Sequence, residues 1–77
     1  MKRPPKALLE RAVKATQLYC GSEGARIRDQ QKLYNQKERV VDRVAAVSGM
    51  DRIVVSEQID AEARRRGCIT PLPGHHI

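Results

Sequence analysis

The chain has no phenylalanine and no tryptophan, and its only aromatic residues are Tyr19 and Tyr34. Its interior must therefore come from Leu, Ile, Val and Ala, which suits packed helices better than a broad β-sandwich. A surface that grips unpaired bases by stacking has equally little to work with. No apolar run approaches the roughly 18–20 residues that a membrane-spanning helix needs, and no leader-like apolar stretch follows Met1. Cysteine is scarce: Cys20 and Cys68 stand far apart and read as two reduced, packing thiols of a cytoplasmic protein. The 77 residues leave room for one small domain. A domain of that size buries only about 60% of the surface its unfolded chain exposes, so a partner or a second copy would stabilise it further.

Acidic residues are scarce in one half only. Residues 1–37 hold nine Lys or Arg against Glu10, Glu23 and Asp29, whereas residues 38–77 hold six bases against six acids. The whole net charge of +6 thus sits in the first half. Such asymmetry is a common footprint of a nucleic-acid or acidic-protein partner.

Glycine and proline punctuate the rest. Residues 1–5, with Pro4 and Pro5, read as a basic arm, and proline is tolerated in a first helical turn. A first helix is expected from about Lys6 to Tyr19, with Leu8, Leu9, Ala12, Val13 and Tyr19 near one stripe and Lys6, Glu10, Arg11 and Lys14 facing water. Gly21 to Gly24 is the clearest break. From Ala25 to Ser48 there is no proline or glycine, so one long helix or two are both compatible, with Asn35–Gln36 the weakest point. Ile27, Leu33, Tyr34, Val40, Val41, Val44 and Ala45 can form its apolar face. A last helix ends near Arg66, because acids come first, Arg64 to Arg66 come last and Gly67 follows. It starts after Asp51 or after Ser56; in the second case Ile53 to Val55 is a short extended piece. The expected architecture is all-α: a small three- to four-helix domain with a helical core over 6–67 and a mobile tail over 68–77.

One stretch carries a motif. Residues 43–59 place small Ala45 where a second helix can cross closely, Gly49 four positions later where the turn needs positive φ, and Val44, Met50 and Val55 where two helices are pinned together. Val55, Ile59 and Ala63 then recur every four residues, and Arg64-Arg65-Arg66-Gly67 closes the helix. This pattern resembles a helix-turn-helix, and its end resembles the recognition helix of winged-helix repressors, where a basic turn and Gly lead into a short strand. The resemblance covers residues 40–69. It departs at Ser48 and Gln58, where the family has apolar residues. Asp51 and Glu57 fall at groove-facing positions, where phosphate would repel them.

Chemistry beyond binding has little support. His75 and His76 with Cys68 do not supply the ligand set of a zinc site. Acid pairs such as Glu57/Asp60 are explained by the helix dipole, and no phosphate-cradling glycine loop or nucleophile motif is present. No cofactor, no metal and no catalysis are expected.

The resemblance implies a small DNA-binding transcription regulator, and the chain's size and compactness suggest the kind carried by phages and plasmids. Its helix-turn-helix would enter the major groove, with Arg52, Ser56 and Gln58 reading bases and Lys2, Arg3, Lys6, Arg64 and Arg65 holding phosphates. Reading two half-sites would suit a homodimer, but the line Ile27, Tyr34, Val41, Ser48 gives only a short and imperfect coiled-coil seam, so dimerisation stays open. The charge split fits a second reading, in which the hairpin is a scaffold. The basic half then docks on an acidic protein, such as a component of the transcription machinery, or on RNA.

Overall fold

The computed structural model describes residues 4–70. Among them are three helices and no strand: α1 (Lys6–Cys20), α2 (Ile27–Ser48) and α3 (Arg52–Arg66). Pro5 opens α1, its carbonyl accepting the amides of Leu8 and Leu9 at 3.0 and 3.1 Å. Proline lacks an N–H that the first turn could not use, so it starts the helix at no loss. The apolar stripe turns Ala12 and Val13 fully inward. Thr16 is buried beside them and satisfies its hydroxyl by donating to the Ala12 carbonyl at 2.9 Å. Tyr19, expected on that stripe, lies at the surface edge-on to Tyr34, with ring centroids 5.3 Å apart.

α2 is one continuous helix, about 33 Å long at 1.5 Å per residue, and does not break at Asn35–Gln36. A side-chain bond from Gln31 Nε2 to Asn35 Oδ1 at 3.1 Å supports the helix where propensity is weakest. Val41, Val44 and Ala45 anchor its second half in the core. Its first residue, Ile27, is 84% exposed and takes no part in the apolar face. Val41 and Ser48, by contrast, are buried inside the bundle, so the seam through Ile27, Tyr34, Val41 and Ser48 is not free to join a second copy.

Gly49 ends α2 at φ 68°, ψ 20°. This left-handed conformation costs other residues about 1–2 kcal/mol, and it lets the amides of Gly49 and Met50 both donate to the Ala45 carbonyl. Asp51 occupies the N-cap position of α3 and its carbonyl accepts the Val55 amide at 3.0 Å. Ile53 to Val55 are therefore helical and Ser56 is internal to the helix, which excludes the later start.

The three helices meet over Ala12, Val13, Val41, Val44, Ala45, Val55, Ile59 and Ala63, with Leu8, Leu9, Val40 and Met50 packed at the edges. Ser48, polar at a core position, is buried and donates to the Val44 carbonyl at 2.7 Å. That bond removes the penalty of an unpaired hydroxyl.

The expectation of two reduced thiols is overturned, and of the tail only residues 68–70 lie among the described residues. Cys20 and Cys68 are both exposed and form a disulfide, with Cα atoms 5.5 Å apart. The assignment to reducing cytoplasm loses the support it drew from free thiols. Residues 68–70 are not a loose continuation of α3 but lie against α1. Gln17 Nε2 donates to the Gly67 carbonyl at 2.7 Å, and the Ile69 amide donates to the Gln17 carbonyl at 3.1 Å. Nor do they form the short strand implied by the winged-helix resemblance. Their approach to α1 is close enough that a Cβ at Gly21 would sit 2.1 Å from the Ile69 carbonyl oxygen. The bridge spans 48 residues, and a loop of that size restricts the unfolded chain by about 4 kcal/mol in the chain-entropy view. The basic arm residues Lys2 and Arg3, and the tail histidines His75 and His76, lie outside the described residues.

The turn yields a direct test. Gly49→Ala is expected to lower stability by about 1–2 kcal/mol in urea unfolding, and Gly49→Asn by less, since Asn tolerates left-handed backbone.

Candidate nucleic-acid interface

A three-helix bundle has three seams between helices, and the charges treat them differently. Along α2/α3, Arg52 donates to Asp42 Oδ1 and Glu38 Oε1, and Lys37 Nζ lies 3.9 Å from Asp60. Along α1/α3, Arg66 grips Glu10 with two bonds of 2.7 and 2.9 Å and also donates to Glu62 at 2.7 Å. Arg65 takes the other Glu62 oxygen at 3.0 Å. Every carboxylate named here is matched by a cation across or along its seam.

The α1/α2 seam has no such acids. A groove of about 590 Å³ runs along it, floored by Leu8, Ala15, Leu18 and Val40 and edged by Arg11 and Lys14 from α1 and Gln36, Arg39 and Arg43 from α2. All four cations are exposed, and none has a carboxylate within ion-pair distance among the described residues. The spacing explains the placement. Arg11 and Lys14 are one turn apart on α1, and Lys32, Gln36, Arg39 and Arg43 follow one another at helical steps along α2. The α2 stripe from Lys32 to Arg43 is about 16 Å long at 1.5 Å per residue.

The ion pairs also set the titration of their members. Hydrogen bonds from Arg65 and Arg66 hold the Glu62 carboxyl down at about 2. The Arg66 bond lowers Glu10 in the same way. Hydrogen bonds to Asp42 and then Glu38 raise Arg52 above its ordinary range, and those to Glu10 and Glu62 raise Arg66.

The residues singled out in the sequence are scattered. Arg52 is held across the α2/α3 seam by its two acids. Ser56 is half-buried, while Gln58 is exposed and lines a separate, mostly apolar cleft of about 350 Å³ between α1 and α3, with Leu9, Val13 and Ile59. Arg65 is engaged by Glu62, Arg64 is exposed near the end of α3, and Lys6 is exposed in the first turn of α1. These six do not converge on one face, and Lys2 and Arg3 fall outside the described residues. The cations that do converge, Arg11, Lys14, Arg39 and Arg43, were legible only as polar positions of two separate helices.

Glu10 and Glu62 have carboxyls lowered below their ordinary value of 4.5. Both groups therefore stabilise the fold fully above that value: the Arg66–Glu10 lock between α1 and α3 is lost as pH falls below it, and the Glu62 pairs within α3 are lost as pH falls toward about 2. The melting temperature is expected to drop between pH 5 and pH 2 more steeply in the parent protein than in Arg66→Gln, and less steeply in high salt. Identical pH profiles for the two proteins would show that the lock contributes nothing measurable.

No family model, curated protein or solved structure matches the chain.

Proposed function

We propose that the protein is a non-catalytic binder of duplex DNA that holds backbone phosphates along the α1/α2 groove. One observation carries this reading: four exposed cations, Arg11, Lys14, Arg39 and Arg43, line one groove with no carboxylate among them. A polyanion replaces the solvent counterions of such a surface and gains their release. Duplex is favoured over single strands because the chain has only two aromatic rings, and Tyr19 and Tyr34 pack on each other with the Lys37 ammonium 5.5 and 5.7 Å from their centroids. Little is left for base stacking.

In this reading α3 serves as the wedge that spaces α1 and α2, and the helix-turn-helix of residues 43–59 is a scaffold. A transcription regulator that reads bases through Arg52, Ser56 and Gln58 would first have to release Arg52 from Glu38 and Asp42. The second reading, docking on another protein such as part of the transcription machinery, draws support from the outer face of α3. There Ile53 is 65% and Val54 42% exposed on either side of Glu57.

The test is a salt series of fluorescence anisotropy titrations on random duplex. Binding is expected with a dissociation constant of roughly 10⁻⁴–10⁻⁶ M at physiological salt. Each phosphate contact contributes about −0.9 to the slope of log K against log salt. Arg39→Ala with Arg43→Ala should therefore weaken binding to every sequence and flatten the slope by about two units. Arg52→Ala should leave the slope unchanged. If the slope responds to Arg52 and not to the arginine pair, the contact surface is α3.

A further inference from the structure

We propose that the Cys20–Cys68 disulfide is a redox latch on the α1/α2 groove. A dithiol reductant opens it, frees residues 67–70 from α1 and weakens the anion site. The inference rests on the groove reading above and names the regulation of that site.

The geometry points this way on three counts. First, the bridge is reachable: both cysteines are exposed, one at the last residue of α1 and the other two residues beyond α3. Second, what else holds the segment is slight. Gln17 makes two hydrogen bonds to it, and Ile69 is 37% exposed. Third, the segment borders the cations of the site. Ile69 lines one small cleft with Gln17, the paired Glu10 and Arg66, Arg11 and Lys14, and Arg11 and Lys14 form the α1 edge of the groove.

The groove exists only while α1 stays packed on α2. The core behind it is thin, with Val41 and Val44 its largest fully buried side chains. Losing a cross-link that spans 48 residues raises the share of molecules in which α1 is displaced and its two cations leave the groove.

The chemistry is ordinary thiol–disulfide exchange. A thiolate of the reductant attacks the sulfur of one cysteine, forms a mixed disulfide and releases the other cysteine as a thiolate, which takes a proton from water. The second thiolate of the reductant then attacks its own mixed-disulfide sulfur and releases the remaining cysteine. The protein gains two electrons and two protons, and the dithiol becomes a cyclic disulfide. A low-molecular-weight disulfide reverses the process.

The experiment compares the oxidised protein, the protein reduced with excess dithiol, and the reoxidised protein, each checked by thiol titration. Melting temperature and anisotropy on a labelled random duplex are read in parallel. Reduction is expected to lower the melting temperature by roughly 10 °C or more and to weaken duplex binding at least about fivefold, and reoxidation to restore both. Unchanged melting and affinity after complete reduction would overturn the latch. A fall in melting temperature with unchanged affinity would overturn its control of the groove. If neither form binds duplex, the groove reading fails and the control claim with it, while the melting temperatures still decide whether the bridge stabilises the bundle. Gly21→Ala provides a second variant that keeps both cysteines. Its Cβ would meet the Ile69 carbonyl, so a larger fraction should be reduced at a fixed ratio of dithiol to disulfide. An unchanged fraction would contradict the close docking on which the latch depends.

Discussion

The cross-link between Cys20 and Cys68 joins the end of α1 to the chain just beyond α3, and the rest of the bundle leans on that constraint. The core it closes consists of valines, alanines and one isoleucine. Such side chains contribute about 1.5–3 kcal/mol each at most when buried, and conformational entropy opposes them at every residue. A bundle with so little apolar volume needs its periphery. The periphery here consists of the disulfide, the paired hydrogen bonds of Gln17 to the segment after α3 and the bidentate Arg66–Glu10 lock. All three hold α1 to the C-terminal end of α3.

The same arrangement explains the charge distribution. Arg52 and Asp60 of α3 are matched to partners on α2, and Arg66 to Glu10 on α1, which ties α3 to both other helices. Four of the exposed cations, Arg11, Lys14, Arg39 and Arg43, line the third seam, where α1 and α2 meet in a groove without acids. Net charge alone would have assigned the basic partner surface to the first half of the chain. The fold instead lines one groove with Arg11 and Lys14 from that half and Arg39 and Arg43 from the other. Residues 38–77, neutral in sum, nevertheless contribute half of the groove cations.

Much of the secondary structure was legible in the sequence because its signals are local. Gly49 needs left-handed backbone, Gly67 follows a basic last turn, and Val55, Ile59 and Ala63 repeat at the period of one buried face. Where the reading failed, the deciding contact was tertiary. Asn35 is a weak helix former, yet α2 passes through it because Val41 and Val44 anchor the helix beyond. Tyr19 belongs to the apolar stripe by spacing, but it packs on Tyr34 at the surface. The pairing of Cys20 with Cys68 depends on where two helix ends meet, which spacing along the chain does not encode. Arg52 has the position of a base reader in the motif, and only the packing of α3 on α2 brings Glu38 and Asp42 to it. The groove was hidden for the same reason, since its cations come from two helices whose register is set by the core.

In the proposed reading α1 and α2, and not α3, face the duplex. The most direct measurement is a two-dimensional amide NMR titration of the oxidised protein with a short random duplex. The account predicts that the largest shift changes cluster at residues 8–18 and 32–43, with residues 52–58 of α3 nearly still. Shifts centred on 52–58, with α1 unperturbed, would contradict it and return the duplex to the helix-turn-helix.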